Sequence, residues 1–294
     1  MAIDLRSQSV RATILPEQGG RLHQLYVTVA GHEEPLLVVP GDFGAYRARP
    51  TFGGSFPMAP WPNRVRGGRF KWDRHTWQLP ANRPPHAIHG LGLTAEWELI
   101  YLLEDALMLQ LRIGPTEGWP WPCTVLQRYT LLPTSLRMEV QVHADDAPFP
   151  AGAGWHPWFR RDVLGAQAVR LTVPSVRRYV LDDNLPSGEV AEPVGDLDLR
   201  DGSALGDRRL DDCYTALSGP VVIDWGRLAL SMTIECPEPH VMVYTPPEAV
   251  CIEPQTCAPD AFNLADRGFR GVGMAVAAPR RPVSITSEWS WLVR

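Results

Sequence analysis

The sequence holds a single lysine, Lys71, among its 28 basic residues. A lysine Schiff-base mechanism would have to use that residue, and nothing around it marks such a role. No run of 18 or more apolar residues exists, which excludes a membrane-spanning helix. Basic residues are not in excess: the formal net charge is -5, which argues against nucleic acid as a partner. The five cysteines, Cys123, Cys213, Cys236, Cys251 and Cys257, form no Cys-x-x-Cys pair. Met1 to Val10 carries Asp4 and Arg6 and lacks the apolar run of a secretory signal. The odd cysteine count and the missing signal lead us to expect reduced thiols in the cytoplasm. Also missing are a long amphipathic segment of helical period, an internal repeat and a low-complexity linker.

What the chain does have is proline and alternation. The 29 prolines are about twice the usual share, so turns and loops should be plentiful. Apolar residues make up 45%, enough for a substantial core. Leu107, Leu109, Leu111 and Ile113 alternate with polar or half-polar neighbours. So do Leu136, Met138, Val140 and Val142, and again Leu228, Leu230, Met232 and Ile234. Val283 and Ile285 begin the same pattern, which Trp289 and Trp291 continue. Each run reads as a strand with one buried face. Turn signals separate them, among them Pro16 to Gly20, Pro133-Thr134-Ser135 and Pro246-Pro247. Many short strands punctuated in this way predict an all-β fold, a sandwich or barrel. Asp182 to Gly206, rich in Asp, Gly, Pro and Glu, is expected to be a long loop on a single domain spanning residues 1–294.

Several segments concentrate polar, aromatic and turn-forming residues. In Gly53 to Phe70, Asn63-Arg64 follows a proline-rich turn and precedes Gly67-Gly68. An arginine there can fork two hydrogen bonds to adjacent hydroxyls, or can form an ordinary surface ion pair. In Pro84 to Leu93, His89 precedes a Gly-x-Gly turn where backbone can approach a ligand, and it reads equally as a loop histidine that binds nothing. His86 lies three residues earlier, but a third and fourth ligand at zinc-like spacing is missing, so no metal is expected. In Ala151 to Phe159, His156 stands among Trp155, Pro157, Trp158 and Phe159. A histidine ordinarily titrates near neutral pH, and this setting of aromatic faces and polar groups suits a sugar ring, or equally a core histidine satisfied by backbone. The glycines and prolines of this segment argue against a plain strand. In Val250 to Asn263, Glu253 leaves a short apolar run just before Pro254. That position suits a cleft carboxylate, and equally a rim salt bridge. Asp211-Asp212 can accept hydrogen bonds from hydroxyls or sit in an exposed turn.

Taken together and in this order, the segments resemble the aldose 1-epimerase (galactose mutarotase-like) family. The likeness runs through LPEQGGRLHQL, PWPNRVRGGRF, IHGLG, GWHPWF and CIEPQTCAPDAFN and covers nearly the whole chain. It implies a large antiparallel β-sandwich with a sugar cleft on one concave sheet. It implies interconversion of the α and β anomers of a free aldose without a cofactor. Glu253 would then be the general base at the anomeric hydroxyl and His156 the general acid at the ring oxygen. Asn63, Arg64 and His89 would bind sugar hydroxyls. Asp211 would bind another, with Asp212 a competing assignment. Trp61, Trp155 and Trp158 are candidates to line the cleft. The galactose enzymes commonly carry a longer His-x-x-Phe-Asn signature, whereas Pro157-Trp158-Phe159 follows His156 here.

Three other functions share parts of this inventory. A sugar sensor would keep the cleft without turnover. A glycoside hydrolase would need a second carboxylate facing the scissile bond. A hexose-6-phosphate epimerase would need a basic cluster, for which Arg160-Arg161, Arg177-Arg178 and Arg208-Arg209 are candidates.

Overall fold

The computed structural model describes residues 1–294. Short strands dominate, and the only α-helices are Ala45–Ala48 and Ala261–Asp266. Most strands gather into an eleven-stranded and a nine-stranded sheet with antiparallel ladders. None of the helices is long and apolar enough to cross a membrane.

The nine-stranded sheet contains the runs whose alternation is plain in the sequence. Ala106–Ile113, Cys123–Leu132, Ser135–Ala144, Val283–Val293 and Leu228–Glu235 lie side by side in that order. Leu107, Leu109, Leu136, Met138, Val140, Val142, Leu228, Leu230, Ile285 and Trp289 are all buried. Their side chains project to the same side because successive residues of a strand point to opposite faces. Ile234 is the exception, half-buried near the end of its strand. A core of 62 buried residues, drawn from Ile3 through Trp291, packs the sandwich. Burying each large aliphatic or aromatic side chain in it contributes about 1.5–3 kcal/mol against the entropy of ordering the chain.

The centre of the eleven-stranded sheet follows a different rule. There Ser55–Met58, Gly154–Pro157, Cys251–Gln255 and His240–Tyr244 run as neighbours, and almost every residue in them is buried. One face sends Trp155, Ile252, Val241 and Val243 into the main core. The other face bears two smaller apolar clusters. One gathers Met242 and Cys213 beneath Ala261 and Leu264 of the second helix. The other joins Phe56, Met58, Trp158 and Cys251. Strands covered on both sides do not alternate, so a period of two cannot reveal them.

Two expectations need correction. Gly154–Pro157 is a strand despite its glycine and proline. The prolines are tolerated because the surrounding ladder is sparse: Gly154–Gln255 and Leu22–Ser55 are single register pairs. Asp182 to Gly206 is not one long loop. Leu185–Ala191 pairs antiparallel with Ser175–Asp182, and Ser203–Ala204 pairs with Arg170–Thr172. Asp183 and Asn184, at φ of 50° and 59°, close the first hairpin in two residues. Asp and Asn tolerate that left-handed conformation better than other side chains, and it matches the twist of the flanking strands.

Candidate active site

Sheet register builds the floor of a cleft of about 580 Å³ on the outer face of the eleven-stranded sheet. Gly154 pairs with Gln255 in an antiparallel ladder, so two residues further along each strand His156 stands opposite Glu253. Glu253 in turn pairs with Met242, and His156 with Phe56. One row across the sheet therefore reads Met242, Glu253, His156, Phe56, with the two polar residues between apolar flanks. The adjacent row contains Asp211 and Tyr244, paired with each other, and Cys251 beyond Tyr244. Trp158, two residues after His156 on the same face, stacks on the imidazole at 5.4 Å between ring centroids with planes 10° apart.

The wall comes from loops. Arg64–Val65 and Ala87–Ile88 form a two-stranded ribbon that sets Asn63, Arg64 and His89 at the cleft. Asn63 and His89 both adopt left-handed backbone, at φ of 51° and 61°. The Asn63 carbonyl accepts the His89 amide at 2.9 Å, and the Asn63 Oδ1 accepts the Arg64 amide at 2.8 Å. Arg64 reaches Asp211, with Nη2 3.5 Å from Oδ2. Asn82 fixes the ribbon from behind: its side chain donates to the Ile88 carbonyl at 2.9 Å and accepts the Ile88 amide at 2.7 Å.

Gly90 docks this ribbon on the sheet. Its φ is +75°, and a Cβ there would lie 2.0 Å from the Ala59 carbonyl oxygen. Gly90→Ala is therefore expected to cost at least about 1–3 kcal/mol of stability through strain and collision. Urea unfolding reads this directly, and an unchanged midpoint would show that the ribbon does not need the close approach.

At the base of the cleft His156 Nε2 lies 3.1 Å from Glu253 Oε1. Both residues are almost entirely buried. Burial pushes the Glu253 carboxyl well above the ordinary glutamate range, with the Asp211 charge adding to it. Burial also pulls His156 down to about 3, helped by the positive charges of Arg64 and Arg21. Desolvation penalises either charge alone, so the pair is most stable holding one proton between Oε1 and Nε2. Glu253 Oε2, His156 Nδ1, His89 Nδ1 and the Trp158 indole nitrogen are buried without a protein hydrogen-bond partner. All four belong to residues that line the cleft. His89 is likewise held uncharged by burial and by its neighbours His156, Arg64 and Arg83.

The structure thus brings His156, Glu253, Asn63, Arg64, His89, Asp211 and Trp158 to one cleft. Asp211 and Asp212 part ways by strand alternation: Asp211 faces the cleft and Arg64, whereas Asp212 pairs with Arg178 at 3.3 Å. Trp61 and Trp155 do not line the cleft. Trp155 points to the opposite face from His156 and is fully buried in the main core, and Trp61 packs on Trp119 at 5.3 Å. His86 braces a turn, accepting the Gly67 amide on Nδ1 at 3.0 Å. The arginine pairs suggested by sequence lie elsewhere: Arg160 holds Asp162, Arg208 holds Asp196, and Arg161 donates to the carbonyls of Pro246 and Ala249. Tyr244, Phe52, Asn82, Arg49 and Arg83 also line the cleft and lie outside the segments singled out by sequence. Only Phe52, next to Gly53-Gly54, carries a local signal. Tyr244 is found solely through its pairing with Asp211.

The family model for aldose 1-epimerase matches residues 1–268. The chain belongs to the aldose 1-epimerase family. Among curated relatives, the uncharacterized protein YihR of Escherichia coli K12 is 25% identical over 218 residues, 70% of each chain. Among solved structures, a galactose mutarotase-like protein of Clostridium acetobutylicum superposes with a TM-score of 0.87 at 19% identity, covering all of this chain and 95% of the other. The galactose 1-epimerase of Lactobacillus acidophilus gives 0.81 at 18% identity, with 99% and 94% covered. At these identities the structural likeness carries the galactose mutarotase-like sandwich fold. The epimerase family also points to an isomerase acting on a sugar.

Proposed function

We propose that this single-domain epimerase-family protein interconverts the α and β anomers of a free aldose by acid–base opening and closing of the hemiacetal ring. The observation that carries the reading is the buried His156–Glu253 pair at 3.1 Å on the floor of a polar cleft. Moving their shared proton to His156 Nε2 leaves a carboxylate and an imidazolium side by side. The carboxylate takes the proton of the anomeric hydroxyl while the imidazolium protonates the ring oxygen. Both oxygens are bonded to the same carbon, so adjacent acid and base suit them. The C1–O5 bond breaks, an aldehyde forms, and rotation about C1–C2 presents its other face. Reclosure reverses both proton transfers and restores the pair. Each positioned group contributes about 100- to 10,000-fold, and fixing the ring adds to this. Two such groups together supply on the order of 5–11 kcal/mol.

Arg64, Asn63, His89 and Asp211 would hold ring hydroxyls, and Trp158 would cover an apolar sugar face. A methyl glycoside separates this reading from a hydrolase or a sensor. Polarimetry on freshly dissolved anomers of glucose, galactose, xylose and arabinose is expected to show acceleration for at least one. The methyl glycoside of that sugar, which lacks the hydroxyl proton on O1, is expected to compete for the cleft and remain unchanged. Its hydrolysis would point to a glycosidase, and binding of free sugars without any acceleration would point to a sensor.

A further inference from the structure

Two cleft arginines have no carboxylate within ion-pair distance. Arg49 and Arg83 both line the cavity and are exposed, and neither enters any of the salt bridges of the chain. Their neighbours differ in this respect: Arg64 is held by Asp211, Arg66 by Asp260 and Arg178 by Asp212. Arg49 is nevertheless anchored through its side chain and Arg83 through its backbone. The Arg49 guanidinium lies over the Phe52 ring, 4.0 Å from its centroid. Phe52 packs edge-on against Trp158 at 5.0 Å, and Trp158 stacks on His156. Arg49 therefore sits two aromatic rings out from the reacting pair. Arg83 starts the tight turn to His86, with reciprocal backbone bonds of 3.1 and 2.8 Å, beside the locked Asn82.

The carboxylates of the cleft leave these charges uncompensated. Asp211 is matched by Arg64, and Glu253 lies 3.1 Å from His156. Glu248 is the one other acidic residue of the lining, and its field also falls on Arg161. Each guanidinium is thus left with forked donors that no carboxylate of the chain engages. A phosphate or carboxylate matches its forked donors. We propose that the substrate is an aldose bearing an anionic group remote from C1, and that Arg49 and Arg83 form the subsite that receives it. This rests on the mutarotase reading above. The anionic group takes no part in ring opening, so its attraction acts on kcat/KM and not on the chemistry at C1.

The test compares anomer exchange on glucose, glucose 6-phosphate and glucuronate, by magnetisation-transfer NMR, with wild type and with Arg49→Gln, Arg83→Gln and the double variant. At least a ten-fold preference in kcat/KM for one or both anionic sugars over glucose is expected. The double variant should erase that preference, and added salt should weaken it, because exposed charges are screened. Whichever of the two anionic sugars is preferred names the anion. Equal or better turnover of glucose, or variants that slow charged and neutral sugars alike, would overturn the proposal. Should no sugar be turned over at all, the mutarotase reading itself falls. Calorimetry of glucose 6-phosphate and glucuronate against glucose then decides the subsite, which is refuted if neither anionic sugar binds more tightly.

Discussion

Glu253→Gln is expected to leave a folded protein that still binds sugar while turnover falls at least about 100-fold. The amide keeps the size of the carboxyl and can donate to His156 Nε2, but it cannot take the proton of the anomeric hydroxyl. Stability should not fall with it. Burial holds the folded-state value of Glu253 well above the ordinary 4.5. The stability contributed by the protonated carboxyl is therefore full below 4.5 and is lost as pH rises through the raised value. Glutamine has no such loss, so its thermal midpoint should equal or exceed that of wild type at neutral and mildly alkaline pH, the trade between activity and stability common at catalytic residues. A variant with normal turnover would remove Glu253 as the base. A variant that unfolds would show that the carboxyl is needed for packing instead.

His156→Asn is expected to lower turnover by a similar factor, because the ring oxygen then departs without a proton. The double variant should be little worse than either single one, since the two groups act as a unit. The pH profile adds an independent check. Burial lowers His156 from the ordinary 6.5 to about 3. A folded histidine value below the unfolded one means that its contribution to stability is full above 6.5 and is lost as pH falls through about 3. The pair likewise takes up a second proton only near that lower value. The acid limb of kcat/KM should therefore lie near 3 rather than 6.5, and turnover should persist as pH falls through 6.5. The alkaline limb should mark loss of the shared proton as pH passes the raised value of Glu253. An acid limb centred at 6.5 would show that His156 works as an ordinary solvated imidazole.

The strands of the nine-stranded sheet were legible because one of their faces is buried and the other is half-open, so Leu136, Met138, Val140 and Val142 announce themselves by alternation. The strands that carry the site were not. Gly154–Pro157 and Cys251–Gln255 are covered on both faces, and their composition reads as a turn or a short apolar run. His156 and Glu253 stood out through their local company of tryptophan, glycine and proline, yet their adjacency depends on a ladder between segments nearly a hundred residues apart. The same limit explains Trp155 and Asp212. Each sits one residue from a cleft residue, and a strand turns such neighbours to the opposite face. Arg49 and Arg83 carry no motif, and their meaning lies in what fails to pair with them. The Ser175–Ala191 hairpin is hidden because Asp183-Asn184, a good left-handed turn, sits in a stretch whose composition is that of a polar loop.

In the proposed mechanism His156 and Glu253 exchange protons with the anomeric centre. The most direct measurement is anomer exchange of one accepted sugar by magnetisation-transfer NMR, with wild type, Glu253→Gln and His156→Asn compared at equal sugar occupancy established by calorimetry. Rapid exchange with wild type and a loss of at least about 100-fold in both variants is the predicted result. Exchange that survives in either variant, or that wild type never accelerates while the sugar is bound, would contradict it.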